Sequence, residues 1–279
     1  MINKIAPFFM TLLMVCIFFS QGFAEEQTRK DPKVLVLIIA SDNTKAYIEL
    51  QKIWRSYMNS DPEHFEVYFI RGNPELSQPY LIEGNDLFVK TEEGYQPGIV
   101  NKTILSMEAL RPRLKEFDFV LRTNLSSFYV FPELIKFVMK LPKERSYSGV
   151  SMYLPADRRP KFGTIYFVSG AGFLLSSDLV EMLLDGKEEI SKLSAELPDD
   201  VLIGFFFQQR KIPHIPADRA DIFSLEQWIT KKDKIPSDSF HFRAKSHGNQ
   251  RSPEESFEEE ISVNRELLKH FYPNHKQQD

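Results

Sequence analysis

Cysteine is almost absent. The single thiol, Cys16, sits in an apolar N-terminal stretch, so the rest of the chain can build neither a disulfide framework nor a cysteine-ligated zinc site. A basic excess is also missing. The formal net charge is -4 and no cluster of Lys and Arg dominates, which excludes a general nucleic-acid binder, because neutralising phosphates needs concentrated positive charge. Past the first 24 residues there is no long hydrophobic run, and no internal repeat anywhere. What is present is ordinary globular composition, 42% hydrophobic and 27% charged over 279 residues, enough for one substantial core.

The N-terminus is organised differently from the rest. Lys4 gives a short positive region, PFFMTLLMVCIFF an apolar one, and Gly22-Phe23-Ala24 a small-x-small cleavage site ahead of Glu25 and Glu26. That order predicts a secretory signal peptide over residues 1–24, with an uncleaved signal anchor in the membrane as the alternative. Val15 is too large for a typical lipoprotein acceptor site at Cys16. A linker over 25–32, a folded domain over 33–250 and a polar C-terminal tail over 251–279 complete the expected organisation. The triplets Asn101-Lys102-Thr103 and Asn124-Leu125-Ser126 have the form of glycosylation sequons.

The domain opens with KVLVLIIAS, a continuous Val- and Ile-rich run short enough to be a strand buried on both faces. Asp42-Asn43-Thr44 then offers a helix cap, and Tyr47, Leu50, Trp54 and Met58 follow at helical spacing until Asp61-Pro62. FEVYFIRG is a second strand. A strand-helix-strand opening implies parallel strands joined by a right-handed crossover. The pattern continues through a strand at NDLFVKT, a helix over about 100–114, the strand FDFVLRTN, a helix with Pro132 in its first turn, the strand YSGVSMYL and the segment TIYFVSGAGFLLS. A helix over 177–184 and a buried helix in DDVLIGFFFQQR follow. Beyond Pro213 the alternation stops. The fold class expected is α/β, a single domain with a largely parallel sheet flanked by helices.

Ligands of open α/β sheets bind beyond the carboxyl ends of the strands. The polar corners there are Ser41-Asp42-Asn43, Arg122 to Ser127, and Ser169 to Gly172; each is also what an ordinary turn looks like. Gly170 and Gly172 flank a single alanine, so the backbone there can turn sharply and admit a ligand closely, or simply pack a strand against a helix. Asp199 and Asp200 begin a helix, where the positive dipole end favours carboxylates. One of them caps the helix, and Asp199, directly after Pro198, is better placed to do so. Asp200 is then left to face a cleft as a general base. HFRAKSHGNQR gathers His241, Arg243, Lys245, His247 and Arg251 in a stretch too polar for a core. It is either a solvated charge run or an anion clamp suited to a diphosphate.

Taken in order, VLVLIIAS, LQKIWRSYM, FEVYFIRG, NDLFVKTEEGYQPGIVNKTILSMEAL, FDFVLRTN, VSGAGFLLS and LPDDVLIGFFFQQRKIPHI resemble successive landmarks of the β-1,3-galactosyltransferase and Fringe family of glycosyltransferases, from about Val34 to Ile215. GAGFLLS and PDDVLIG at their mutual spacing are the most specific of them. The resemblance implies a GT-A fold, a secretory-pathway, secreted or membrane-anchored setting, and an inverting hexosyl transfer from a UDP-type nucleotide-sugar to a glycan or glycoprotein hydroxyl. It also implies a donor-binding set of Ser41, Asp42, Lys102, Arg122, Asn124, Ser126, Ser127, Gly170, Gly172, His241, Arg243 and Lys245, with Asp200 and Asp199 catalytic.

The family's acidic triad for Mn²⁺ falls on Asn124, Leu125 and Ser126, none a strong ligand for a hard cation. Mn²⁺ is therefore disfavoured and no other cofactor is implied. The readings that follow are a metal-independent enzyme whose C-terminal cations balance the diphosphate, an inactive glycan- or nucleotide-binding relative, or a secreted interaction protein on the same scaffold.

Overall fold

The computed structural model describes residues 31–245 and 253–274, and of Pro253 and Glu254 only the backbone. The N-terminal stretch expected to be a signal or anchor, and His247 and Arg251, lie outside the described residues. Among those that are described, no helix is long and apolar enough to cross a membrane.

In chain order the elements are β1 (Val34–Ile39), α1 (Lys45–Tyr57), β2 (Phe65–Gly72), β3 (Tyr80–Glu83), β4 (Asp86–Val89), α2 (Gly98–Leu110) with a 3₁₀ extension Arg111–Glu116, β5 (Phe119–Asn124), β6 (Ser127–Tyr129), α3 (Phe131–Val138), β7 (Tyr147–Leu154) and β8 (Ile165–Ser176). They continue as α4 (Ser177–Asp185), α5 (Lys187–Leu193), α6 (Asp199–Gln209), β9 (His214–Pro216), β10 (Ala220–Ile222), α7 (Leu225–Lys231), β11 (His241–Ala244) and α8 (Pro253–Phe271). The large sheet runs β3-β4-β2-β1-β5-β8-β7-β9, and a small one β10-β11-β6 stands beside it. From β4 through β2 and β1 to β5 all pairings are parallel, while β8 runs antiparallel to both its neighbours. This is the predicted α/β domain with one large sheet flanked by helices.

The apolar continuity of VLVLII has the expected consequence. All six residues of β1 are buried, Val34, Val36 and Ile38 toward a core with Leu50, Ile53 and Trp54 of α1, and Leu35, Leu37 and Ile39 toward a core with Val100, Ile104 and Met107 of α2. Thr44 caps α1 by accepting from the Tyr47 backbone N–H at 3.1 Å.

Three expectations change. Residues 251–279 are not simply a polar tail: α8 turns Ile261, Val263, Leu267 and Leu268 into the α1 core. Just beyond it, Tyr272 stacks on Tyr57 with 4.8 Å between ring centroids and donates its hydroxyl to the Tyr129 carbonyl at 3.0 Å. A strongly charged helix hides such a stripe because Glu and Lys occupy its other faces. The segment at His241 is likewise not solvated; it is β11, buried between β10 and β6. Finally, Gly170-Ala171-Gly172 makes no turn. The chain continues through the twelve-residue β8, but the register against β7 jumps between Gly149↔Phe173 and Ser151↔Val168, so residues 169–172 form a bulge.

Gly172 is needed there for space. A Cβ at that position would collide with the Tyr129 hydroxyl and the His241 ring, which themselves stack at 4.4 Å. Gly172→Ala should therefore lower the unfolding free energy by about 1–3 kcal/mol, the usual cost of overpacking. Urea denaturation checks it, and Tyr129→Phe in the same chain should restore part of the loss by removing the colliding oxygen.

Candidate active site

The corner after β5 is where the chain leaves the large sheet for the small one. Ile39 of β1 lies in register with Asn124 of β5, and Ser127 of β6 with Arg243 of β11, so the ends of β1 and β5, the β8 bulge and β11 converge. The bulge leaves carbonyls and an amide without ladder partners, and side chains take their place. Thr123 and Ser127 hydroxyls donate to the Ala171 carbonyl at 2.7 and 2.8 Å, and Arg122 Nη1 donates to the Gly170 carbonyl at 2.5 Å. The Gly170 N–H donates to Asp200 Oδ2 at 2.7 Å. The Gly170 amide and the Gly170 and Ala171 carbonyls are thereby tied to polar residues of the corner or of α6.

Asp199 does not cap α6, whose first turn has no side-chain cap. It is buried and ion-paired with Arg122, whose side chain is 3% exposed and which also donates to Thr103 Oγ1 at 3.3 Å. Arg122 is thus a strut between β5, α2, β8 and α6. Asp200 Oδ1 accepts from its neighbour Val201 N–H at 2.9 Å. Burial, and then the charge of Asp199, raise the Asp200 pKa above the usual aspartate range. Two adjacent carboxylates therefore have different environments, one neutralised by arginine and the other held only by backbone amides.

Asn124 Oδ1 accepts from Ser126 at 2.9 Å, with the Ser127 hydroxyl oxygen 3.4 Å away, while its amide nitrogen has only a long contact of 3.5 Å to the Gly170 carbonyl. The amide donors of Asn124 are accordingly the least committed in the corner. Ser127 is engaged on both sides: its hydroxyl gives its proton to Ala171, so His241 Nε2 at 3.2 Å is the donor to the serine oxygen. Burial, with Arg219 and Arg243 nearby, holds the His241 pKa well below its ordinary value and keeps the ring neutral.

Arg243 is half-buried and its Nε has no hydrogen-bond partner. Burial and then the neighbouring Arg219 lower its pKa; Asp221, Glu260 and Asp200 act in the opposite direction. Lys245 is lowered by burial and by Arg243. Neither has an ion pair among the described residues, in contrast to Arg219, bidentate to Asp221 at 2.6 and 2.9 Å and bonded to Ser169 at 3.0 Å.

At the far side of the corner Asp42 is paired to Arg71 at 2.5 Å, which holds its carboxyl below the usual range, and Ser41 accepts from the Asn43 N–H at 3.2 Å. Lys102 is buried, donating to the Ala40 carbonyl at 3.0 Å and pairing with Glu93 at 2.7 Å. Glu93 also receives the Gly72 N–H at 2.6 Å, so Lys102 anchors the loop after β4 instead of presenting a free charge. The structure brings Asn124, Ser126, Gly170, Asp200, Arg243 and Lys245 to one polar junction, and sets Lys102 and Arg122 behind it as internal supports.

Two residues were not singled out by the sequence. Tyr95, 69% exposed on the loop that Glu93 anchors, has its hydroxyl pKa raised by partial desolvation and by the charges of Asp199 and Asp200. Its signal was an aromatic in a loop at the carboxyl end of a strand. Arg219 lies where the alternation stops, in a stretch with no periodicity to place it. Among the described residues no group of three or more His, Cys, Asp or Glu side chains could hold a metal. The corner itself offers an amide, the carbonyl of Leu125 bonded to Trp54 at 3.3 Å, and hydroxyls; that set does not fit Mn²⁺.

No family model matches the chain, and neither does any curated protein. Among solved structures, the crystal structure of a glycosyltransferase involved in the glycosylation of the major capsid of PBCV-1 is similar to 84% of this chain and 100% of its own, at 11% identity and a TM-score of 0.46, a likeness too distant to bear on activity.

Proposed function

We propose that the chain is an inverting glycosyltransferase that moves a sugar from a UDP-type donor to a glycan hydroxyl without a metal ion. The observation that carries the reading is one continuous polar path. It runs from Arg243, whose Nε has no hydrogen-bond partner among the described residues and which lies in register with Ser127, through Asn124 and the Gly170 bulge to Asp200, whose pKa is raised by burial. An arginine with no ion pair among the described residues and a carboxylate hydrogen-bonded by backbone amides are what a diphosphate leaving group and an attacking hydroxyl respectively require. Asp200 takes the acceptor hydroxyl proton as that oxygen bonds to the anomeric carbon from one face. The bond from that carbon to the diphosphate oxygen breaks on the other, and the charge leaving with the nucleotide is met by Arg243 and Lys245. Asn124 and Ser126 supply neutral hydrogen bonds. The proposed setting is the secretory lumen, resting on Lys4, the apolar run and Gly22-Phe23-Ala24.

The test is transfer and hydrolysis of a panel of UDP- and GDP-sugars in EDTA, with the anomeric configuration of the product read by NMR. Retention of configuration or strict dependence on Mn²⁺ overturns the reading. Arg243→Ala and Lys245→Ala should each weaken UDP binding by about 1.5–3 kcal/mol, the range for hydrogen bonds to charged groups, in calorimetry with EDTA present.

A further inference from the structure

A cavity of about 720 Å³ opens at the other end of the small sheet, between α3, the segment joining β9 to β10, and the loop between α7 and β11. That volume is typical of small-ligand sites. Its floor includes Arg219 and His241, both nearly buried, and its wall includes Phe137 and Phe240, half-buried and stacked with 4.6 Å between centroids. The wall is held in place by the backbone: Val130 N–H donates to the Phe240 carbonyl at 2.9 Å and Ala217 N–H to the Gly149 carbonyl at 2.9 Å.

Lysines crowd the mouth. Lys136 is paired with Glu133 at 2.7 Å, but Lys140, Lys231 and Lys234 have no ion pair among the described residues. Asp218 and Asp238 are the other acids of the lining, so cations outnumber carboxylates, and in a chain of net charge -4 this concentration runs against the average. The apolar part of the lining, by contrast, is aromatic and aliphatic, with Phe137, Phe240 and Ile235. A ligand that satisfies both parts has an apolar face to lie on Phe137 and Phe240 and anionic substituents to reach the lysines; bare inorganic anions would leave the aromatic wall uncovered.

We infer that this cavity is a second binding site, separate from the Asp200 junction, for an anionic carbohydrate of about disaccharide size whose charge is borne by sulfate or carboxylate. It does not depend on the transferase reading.

The experiment is calorimetry on the full chain with a sulfated heparin-derived disaccharide, inorganic pyrophosphate and maltose as probes. The sulfated disaccharide should bind. Lys231→Ala/Lys234→Ala should weaken it at least about tenfold, as should raising NaCl from about 50 to about 300 mM. Arg243→Ala should leave it unchanged, pyrophosphate should bind at least about tenfold more weakly, and maltose should show no heat. Both lysines are exposed, and an unchanged thermal melt verifies that the double variant is folded. The inference is overturned by absence of disaccharide binding at about 10 mM, by equal binding to the lysine variant, by loss of binding in Arg243→Ala alone, or by pyrophosphate or maltose binding as tightly as the disaccharide.

Discussion

Asp199→Asn should lower the free energy of unfolding by about 3–5 kcal/mol, the usual consequence of removing one partner from a buried ion pair. The partner left behind, Arg122, has a side chain 3% exposed and cannot lose its proton. It keeps the Gly170 carbonyl and Thr103, neither of which neutralises charge. Arg122→Met alone should be similarly costly, because it strands Asp199. The double variant Arg122→Met/Asp199→Leu should recover most of the loss, since a well-packed apolar pair often matches a buried ionic one. Denaturant titration of the three variants measures the coupling; a cost below about 1 kcal/mol for Asp199→Asn would mean that Arg122 has another counterion and that the strut is misassigned. The same variant has a second signature. Asp199 helps to raise the Asp200 pKa, so its neutralisation should move the acid limb of any activity profile to lower pH.

That result differs from what the sequence suggests for Asp199, and the reason is instructive. Pro198 followed by aspartate at the start of a helix satisfies every local rule for a cap, and local rules see only the residues next in sequence. The competing partner, Arg122, lies on β5, far off in sequence, and reaches Asp199 through the tertiary fold. The strands themselves were legible because burial on both faces leaves an unbroken apolar run, as in β1, and α1 was legible because its apolar stripe and its Thr44 cap agree. β11 and α8 were not. In the first, a buried neutral histidine and a half-buried arginine on a four-residue strand have the composition of a solvated loop. In the second, glutamates are as many as the apolar residues that make the contacts. The glycines of the bulge announced an unusual backbone without saying which: close approach of Tyr129 and His241 demands small residues as firmly as a turn would.

Asp200→Asn should reduce turnover by roughly 10²–10⁴-fold, the usual contribution of a general base, with UDP affinity nearly unchanged because in the proposed reaction this carboxylate serves the acceptor hydroxyl while Arg243 and Lys245 meet the diphosphate. Stability should move little. Asparagine loses one of the two acceptors now used by the Gly170 and Val201 amides, at about 1 kcal/mol, and in exchange removes a carboxylate buried beside Asp199. The sign of the second contribution follows from linkage. The folded-state pKa of Asp200 is raised above 3.8, so the fold binds its proton more tightly than the unfolded chain does. The stability this gives is fully present below the unfolded value and is lost as pH rises through the folded one. At neutral pH the wild type therefore carries a penalty that Asp200→Asn lacks. Activity has the opposite dependence: only the ionised carboxylate accepts a proton, so wild-type kcat/KM should rise with pH through the raised pKa, and the residual rate of Asp200→Asn should show no such limb. A pH series of kcat/KM for both proteins, with UDP affinity measured alongside, separates the possibilities. If Asp200→Asn keeps full turnover and its acid limb, the base lies elsewhere. If it loses UDP affinity to the same degree as turnover, the residue binds the donor and abstracts no proton.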